Sequence, residues 1–200
     1  MQVRKLGIEG AFEFTPPVHR DDRGTFSSPY QDSPFTESKG ASLFPVRDIS
    51  HNVSARGVLR GIHYTTTPPG RAKYVCAPHG EVRDFLIDLR LGSPTFGRWE
   101  TTVLSGDTCN AVYIPVGVGH AFLSLQDGSI VQYVMSEGYV PEHELVVSAF
   151  DPEVGLPIPE GYPIVLSARD RTAPTLGEAR ARGLLPEYEM AKKVEAALWE

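Results

Sequence analysis

Short apolar runs of five to eight residues recur along the chain. VRKLGI, AFEFTP, VLRGIHY, AKYVCA, VRDFLIDL, RWETTVL, AVYIPV, AFLSL, SIVQYVM and YPIVLS are the clearest. They are rich in Val, Ile, Tyr and Phe, and most stop at Gly, Pro, Asp or Ser. That combination predicts strands separated by turns. Many strands at close spacing make a sandwich or a barrel. The stretch from about 45 to 150 is therefore expected to be all-β. No internal repeat or linker interrupts it, so residues 1–200 read as one domain.

The pattern changes near the C-terminus. Thr175 and Glu178 have the spacing of a capping box, and Gly183 is placed to stop the helix that follows. After Pro186, EYEMAKKVEAALWE is rich in helix formers. One or two short helices should lean on the barrel there. Asp22-Arg23-Gly24 and the prolines around it mark an early loop.

One run breaks the strand pattern. GVLRGIHYTTTPPGRAKYV, residues 57 to 75, places Arg60, His63, Arg71 and Lys73 among apolar neighbours. Lys73 is the single lysine between residues 40 and 191, in a chain with 5 Lys and 14 Arg. It is either a solvated lysine guarding an edge strand or a buried functional cation. Arg71 reads as a solvated turn residue. Strict alternation would put Arg60 and His63 on opposite faces. A bulge at Gly61, or a strand end near His63, is needed to bring both to one pocket.

The net charge of −6 argues against nucleic acid as a partner but allows a local basic pocket for a small anion. Cys76 and Cys109 lack CxxC spacing and read as reduced thiols. No run approaches the length of a membrane span, and the N-terminus has no apolar signal core. A cytoplasmic protein is expected.

Other residues could carry chemistry, each with a bland alternative. His120, in PVGVGHAFLSL, sits at a Gly-x-Gly-His junction similar to the second conserved patch of cupin barrels. Cupin metal sites use HxH, and His63 is flanked by Ile62 and Tyr64, so no metal is expected. Arg23 and Arg60 each adjoin a glycine, as a diphosphate clamp or a common surface pair would. Tyr133 shares a strand face with Val131 and Met135, the usual place of a core residue. Tyr139 follows the Gly138 turn and reads as a loop anchor. Asp170 sits between two arginines, as in a solvated ion-pair cluster. His19, His51, His79 and His143 fall in turn-like contexts.

Together these stretches resemble the dTDP-4-dehydrorhamnose 3,5-epimerase (RmlC-type) family over nearly the full length. DDRGTF at 21–26, GVLRGIH at 57–63, Lys73, GEVRDFLIDLR at 80–90, GSPTFGRW at 92–99 and AVYIPVGVGHAF at 111–122 carry the likeness. Tyr133, Tyr139 and LSARD at 166–170 complete it. The HYxxxPPGxAKY version looks like the antibiotic-deoxysugar branch, which includes vancosamine-type 5-epimerases and 3-epimerases of other deoxysugars.

The resemblance implies a cupin-type jelly roll acting without a cofactor on a dTDP-linked 4-keto-6-deoxy sugar. It implies a homodimer with exchanged N-terminal strands. It makes His63 the base, Asp170 its partner, Lys73 the donor at the C4 oxygen and Tyr133 the acid. Arg23, Arg60 and His120 would contact diphosphate and sugar, and Tyr139 would stack on thymine. Glu144 and Arg169 fall at further substrate-contact positions.

Three places depart from the rhamnose pattern: Ser28 for glutamate, Asp48-Ile49-Ser50 for Gln-x-Asn, and Arg169 for lysine. They imply the same proton chemistry on an altered sugar, with Asp48 as a contact for an amino substituent. Inversion at C5 is the expectation from the branch, with C3 or both as alternatives. A cupin sugar ketoisomerase and a non-catalytic sugar-nucleotide binder are the competing readings.

Overall fold

The computed structural model describes residues 1–200. Thirteen strands run as β1 (Gln2–Lys5), β2 (Phe12–Thr15), β3 (Val18–Asp21), β4 (Gly24–Ser27), β5 (Asp48–Ser54), β6 (Leu59–Thr65) and β7 (Lys73–His79). Then come β8 (Glu81–Asp88), β9 (Trp99–Ser105), β10 (Ala111–Ile114), β11 (Val118–Ser124), β12 (Ser129–Met135) and β13 (Glu144–Val146). The α-helices are α1 (Asp32–Lys39), α2 (Ala168–Arg171), α3 (Leu176–Ala181) and α4 (Tyr188–Ala196).

Two antiparallel sheets face each other. One has the order β1-β2-β10-β7-β12-β5, the other β13-β6-β11-β8-β9. β3 and β4 form a separate hairpin. This is the jelly-roll barrel that the resemblance implies, with the short C-terminal helices that the sequence predicts.

Three apolar layers explain why several strands are buried on both faces. Between the sheets lie Val75, Ala77, Val82, Leu86, Val112, Ile114, Phe122 and Val131. Outside the five-stranded sheet, Tyr64, Phe85, Ile87 and Leu123 pack under Leu176 and Ala179 of α3. Outside the six-stranded sheet, Phe14, Tyr74 and Tyr113 pack under Phe35 of α1 and Ala191 of α4. Strands covered on both sides lose the simple alternation of a half-exposed sheet. That is the form of VRDFLIDL and AVYIPV. Glu195 ties α4 down by accepting from Tyr113 Oη and from the Val116 N–H, each at 2.9 Å.

The capping box of α3 forms at Thr175 and Glu178, and Gly183 follows with φ of +65°. Other expectations need correction. YPIVLS forms no strand and meets the sheet through one bridge, Val58 to Val165. The early loop at Asp22–Gly24 is present, as the tip of the β3–β4 hairpin. His51 lies inside β5 rather than in a turn. α1 had no signal in the sequence: Gln31 precedes it without a side-chain cap.

Candidate functional site

Side chains that point between the sheets change character along the barrel. At one end they are the apolar residues of the inner layer. At the other they are polar and line a cavity of about 240 Å³. The row from β6 depends on an irregularity. His63 faces His120 of β11, and Arg60 faces Phe122, so three steps on β6 match two on β11. The extra residue is a bulge, and it puts Arg60 and His63 on the same wall while Leu59, Ile62 and Tyr64 face the outer layer. Gly61 makes this possible. Its φ is +112°, and a Cβ there would lie 2.5 Å from the His120 carbonyl oxygen.

His63 Nε2–H donates to Asp170 Oδ1 at 2.7 Å. Asp170 belongs to α2, behind the sheet, and its side chain is 3% exposed. Burial raises its carboxyl pKa, but the hydrogen bond and charge of His63 outweigh it, with help from Ser167 and Arg169, so the net shift is downward. With Nε2 committed to Asp170, the other ring nitrogen, Nδ1, is the one free to act as a base.

Tyr133 lies on β12, in the opposite sheet from His63. Asn52 Nδ2–H donates to its Oη at 3.1 Å. Burial pushes the phenol well above its ordinary pKa, against the smaller effect of Asn52. The hydroxyl therefore stays protonated and able to give a proton. His120 packs edge-on to Tyr133, with centroids 5.9 Å apart, and pairs with Asp84 at 2.6 Å.

Lys73 opens β7, the strand between β10 and β12, and is 6% exposed. It is no edge-strand lysine. Burial first, and the charge of Arg71 second, push its pKa down to about 8, against Glu144 and Asp84. Arg71 also overturns expectation. It is 5% exposed, lines the cavity and pairs with Glu144. The Pro68-Pro69-Gly70 turn carries it into the barrel rather than out to water.

Of the residues picked from sequence, the cavity brings together Ser50, Arg60, His63, Lys73, His120, Tyr133, Tyr139 and Glu144. Arg23 and Ser28 are not among its lining residues. Arg23 is on the exposed hairpin, paired with Asp21. Asp48 also lies outside the lining and accepts from Ser50 Oγ at 3.4 Å. Arg169 is exposed on α2. Asn52, Phe122 and Met135 line the cavity and were missed. Asn52 was findable, because it shares the face of Ser50 two residues on. Asp84 had a signal too: it interrupts an inward row of Val82 and Leu86.

The set can remove a proton from one side of a ring, hold charge on an oxygen and return a proton from the other side. Comparison with known proteins agrees with that chemistry. The family model described as dTDP-4-dehydrorhamnose 3,5-epimerase matches residues 5–178. A dTDP-4-dehydrorhamnose 3,5-epimerase of Mycolicibacterium smegmatis is 45% identical over 188 residues, covering 94% of this chain and 92% of its own. Two solved structures each superpose with a TM-score of 0.91. One is NovW, a 4-keto-6-deoxy sugar epimerase from the novobiocin cluster of Streptomyces spheroides, 43% identical, covering 96% of this chain and 95% of that one. The other is ChmJ, a 3'-monoepimerase from Streptomyces bikiniensis in complex with dTDP-quinovose, 42% identical, covering 96% and 97%. With the jelly roll and the polar end of its barrel, these matches place the chain in the dTDP-4-dehydrorhamnose 3,5-epimerase family.

Proposed function

We propose that this protein epimerises a dTDP-linked 4-keto-6-deoxyhexose at carbon next to the ketone. The observation that carries the reading is the placement of His63 and Tyr133 on opposite sheets, facing one cavity. Inversion needs a base on one face of the ring and an acid on the other. A single wall would return the proton to the side it left.

His63 Nδ1 takes the α-proton, and the C–H electron pair moves into an enolate with charge on the C4 oxygen. Lys73, close by and protonated below about pH 8, donates to that oxygen. Asp170 holds the ring and stabilises the imidazolium that forms. The Tyr133 phenol then delivers its proton to the opposite face. Arg60, whose Nε–H donates to Ser54 Oγ at 3.3 Å, has its two terminal nitrogens left for the diphosphate. Tyr139, 60% exposed at the cavity mouth, suits a stacked base.

The active unit in this reading is a homodimer that exchanges its hairpins. The side chain of Arg23 is 90% exposed and Phe26 is 70% exposed. A cation and an aromatic ring held out on a free hairpin suit the cavity of a second copy, where Ser28 would follow. No helix is long and apolar enough to cross a membrane.

The related enzymes carry names that put inversion at C3, alone or together with C5. The test therefore reads both carbons. Incubation with dTDP-4-keto-6-deoxyglucose in deuterium oxide, followed by proton NMR, should show exchange with inversion at C3, C5 or both. Absence of exchange at both carbons would remove the reading.

A further inference from the structure

Arg71 and Lys73 are two residues apart, and both side chains reach the cavity. They are treated differently there. The Arg71 guanidinium is paired with Glu144, and its Nη2 also donates to Thr65 Oγ1 at 3.4 Å. Lys73 has no ion-pair or hydrogen-bond partner, although Glu144 and Asp84 both act on its charge. Asp84 is pinned through Oδ1 by His120, and its Oδ2 is buried without a partner. Glu144 is the remaining carboxylate on the cavity wall, and it comes from β13, across the barrel from β7.

An unpaired carboxylate and an ammonium that are both buried in one cavity attract strongly. The charged and titratable groups facing Lys73 are Arg71 from the turn just before β7, Arg60 and His63 from β6, His120 from β11, Asp84 from β8, Tyr133 from β12 and Glu144 from β13. Of the two acids, Asp84 is pinned by the His120 ring, and Glu144 is held in place by Arg71. We propose that Arg71 is a positioning residue for Lys73: by holding Glu144, it keeps that carboxylate from capturing the Lys73 ammonium. The ammonium then stays open to the substrate. This rests on the reading of Lys73 as the donor at the C4 oxygen.

A double-variant experiment tests it, with solvent deuterium exchange and turnover of dTDP-4-keto-6-deoxyglucose as readouts. In Arg71→Met, Glu144 turns to Lys73, and kcat falls about 100-fold, the scale of losing one oxyanion donor. The basic limb of the kcat profile moves to higher pH, because Lys73 loses a like charge and gains an opposite one. In Arg71→Met/Glu144→Gln the captor is gone, and turnover recovers at least about 10-fold over Arg71→Met. A double variant no faster than the single one overturns the proposal, since damaged packing would not be repaired by a second change.

Glu144→Gln alone provides a check that keeps Arg71 in place. It should move the basic limb to lower pH, because the acid that raises the Lys73 pKa is removed; a limb that stays or rises overturns the proposal. Lys73→Met separates this inference from the function reading. Wild-type exchange in Lys73→Met removes Lys73 from the ketone, and the inference falls with it. An inactive Lys73→Met with no recovery in the double variant overturns the inference alone.

Discussion

Replacing Asp170 by Asn tests the base assignment at its most exposed point. Asn has the same shape, so the side chain, 3% exposed and 2.7 Å from His63 Nε2, keeps its place. What changes is the direction of the hydrogen bond. A carboxylate can only accept, so it fixes the proton on Nε2 and leaves Nδ1 bare. An amide rotated to face the ring can donate to Nε2, which puts the proton on Nδ1 and blocks the base. It also removes the charge that stabilises the imidazolium. The expected loss in kcat is about 10³- to 10⁴-fold, the scale known for inverting this tautomer in a His–Asp pair. The stability cost is about 1–3 kcal/mol for a buried charge-assisted bond, or roughly 2–12 °C in Tm for a chain of this size. Single-turnover deuterium exchange by NMR, beside a thermal melt, separates the two effects. Asp170→Ala leaves the ring free to choose its tautomer and should be no slower than Asn. An Asn variant within threefold of wild type, or an Ala variant far slower than the Asn variant, would refute the tautomer argument. The ion pair also has a pH signature. The Asp170 pKa is lowered in the fold, so its stabilisation is full above the ordinary aspartate range and lost as pH falls through the lowered value.

Three further outcomes are expected. Activity should decline as pH rises past about 8, as Lys73 loses its proton; Lys73→Arg should abolish that limb in the kcat profile, and a limb that persists has another source. Gly61→Ala forces a Cβ to within 2.5 Å of the His120 carbonyl at a φ of +112°. It should cost about 3 kcal/mol or more, read by urea unfolding, and an unchanged midpoint would mean the bulge tolerates a side chain. Mixing inactive Arg23→Ala with inactive His63→Ala after partial unfolding should restore activity toward a quarter of wild type. A heterodimer then holds one intact site, with His63 from one copy and Arg23 from the other. No recovery would argue that Arg23 serves its own chain.

Much of the fold was written in local pattern. Short β-rich runs between turn residues gave β6 to β12, and Thr175, Glu178 and Gly183 gave α3, because strand pairing and helix caps depend on neighbours in sequence. α1 was invisible: it lacks a side-chain cap, and its place depends on Phe35 packing against Phe14 and Tyr113 from distant strands. YPIVLS looked like a strand because it is apolar, but it serves to cover the outer face of a sheet.

The site divides in the same way. Residue types and a family-like arrangement marked His63, Lys73, Tyr133 and Asp170 in the sequence, since proton transfer beside a ketone needs those groups. The sequence also required a bulge or strand end for Arg60 and His63 to share a wall. Which residues meet was decided only by the closed barrel. It brought Asn52 to Tyr133 and Asp84 to His120, left Asp48 outside the cavity, and turned Arg71 from water into the interior. The physical reason is that burial and charge pairing are properties of the space between two sheets. Residues more than seventy positions apart, such as Arg71 and Glu144, become partners there, and no local pattern in either segment records it.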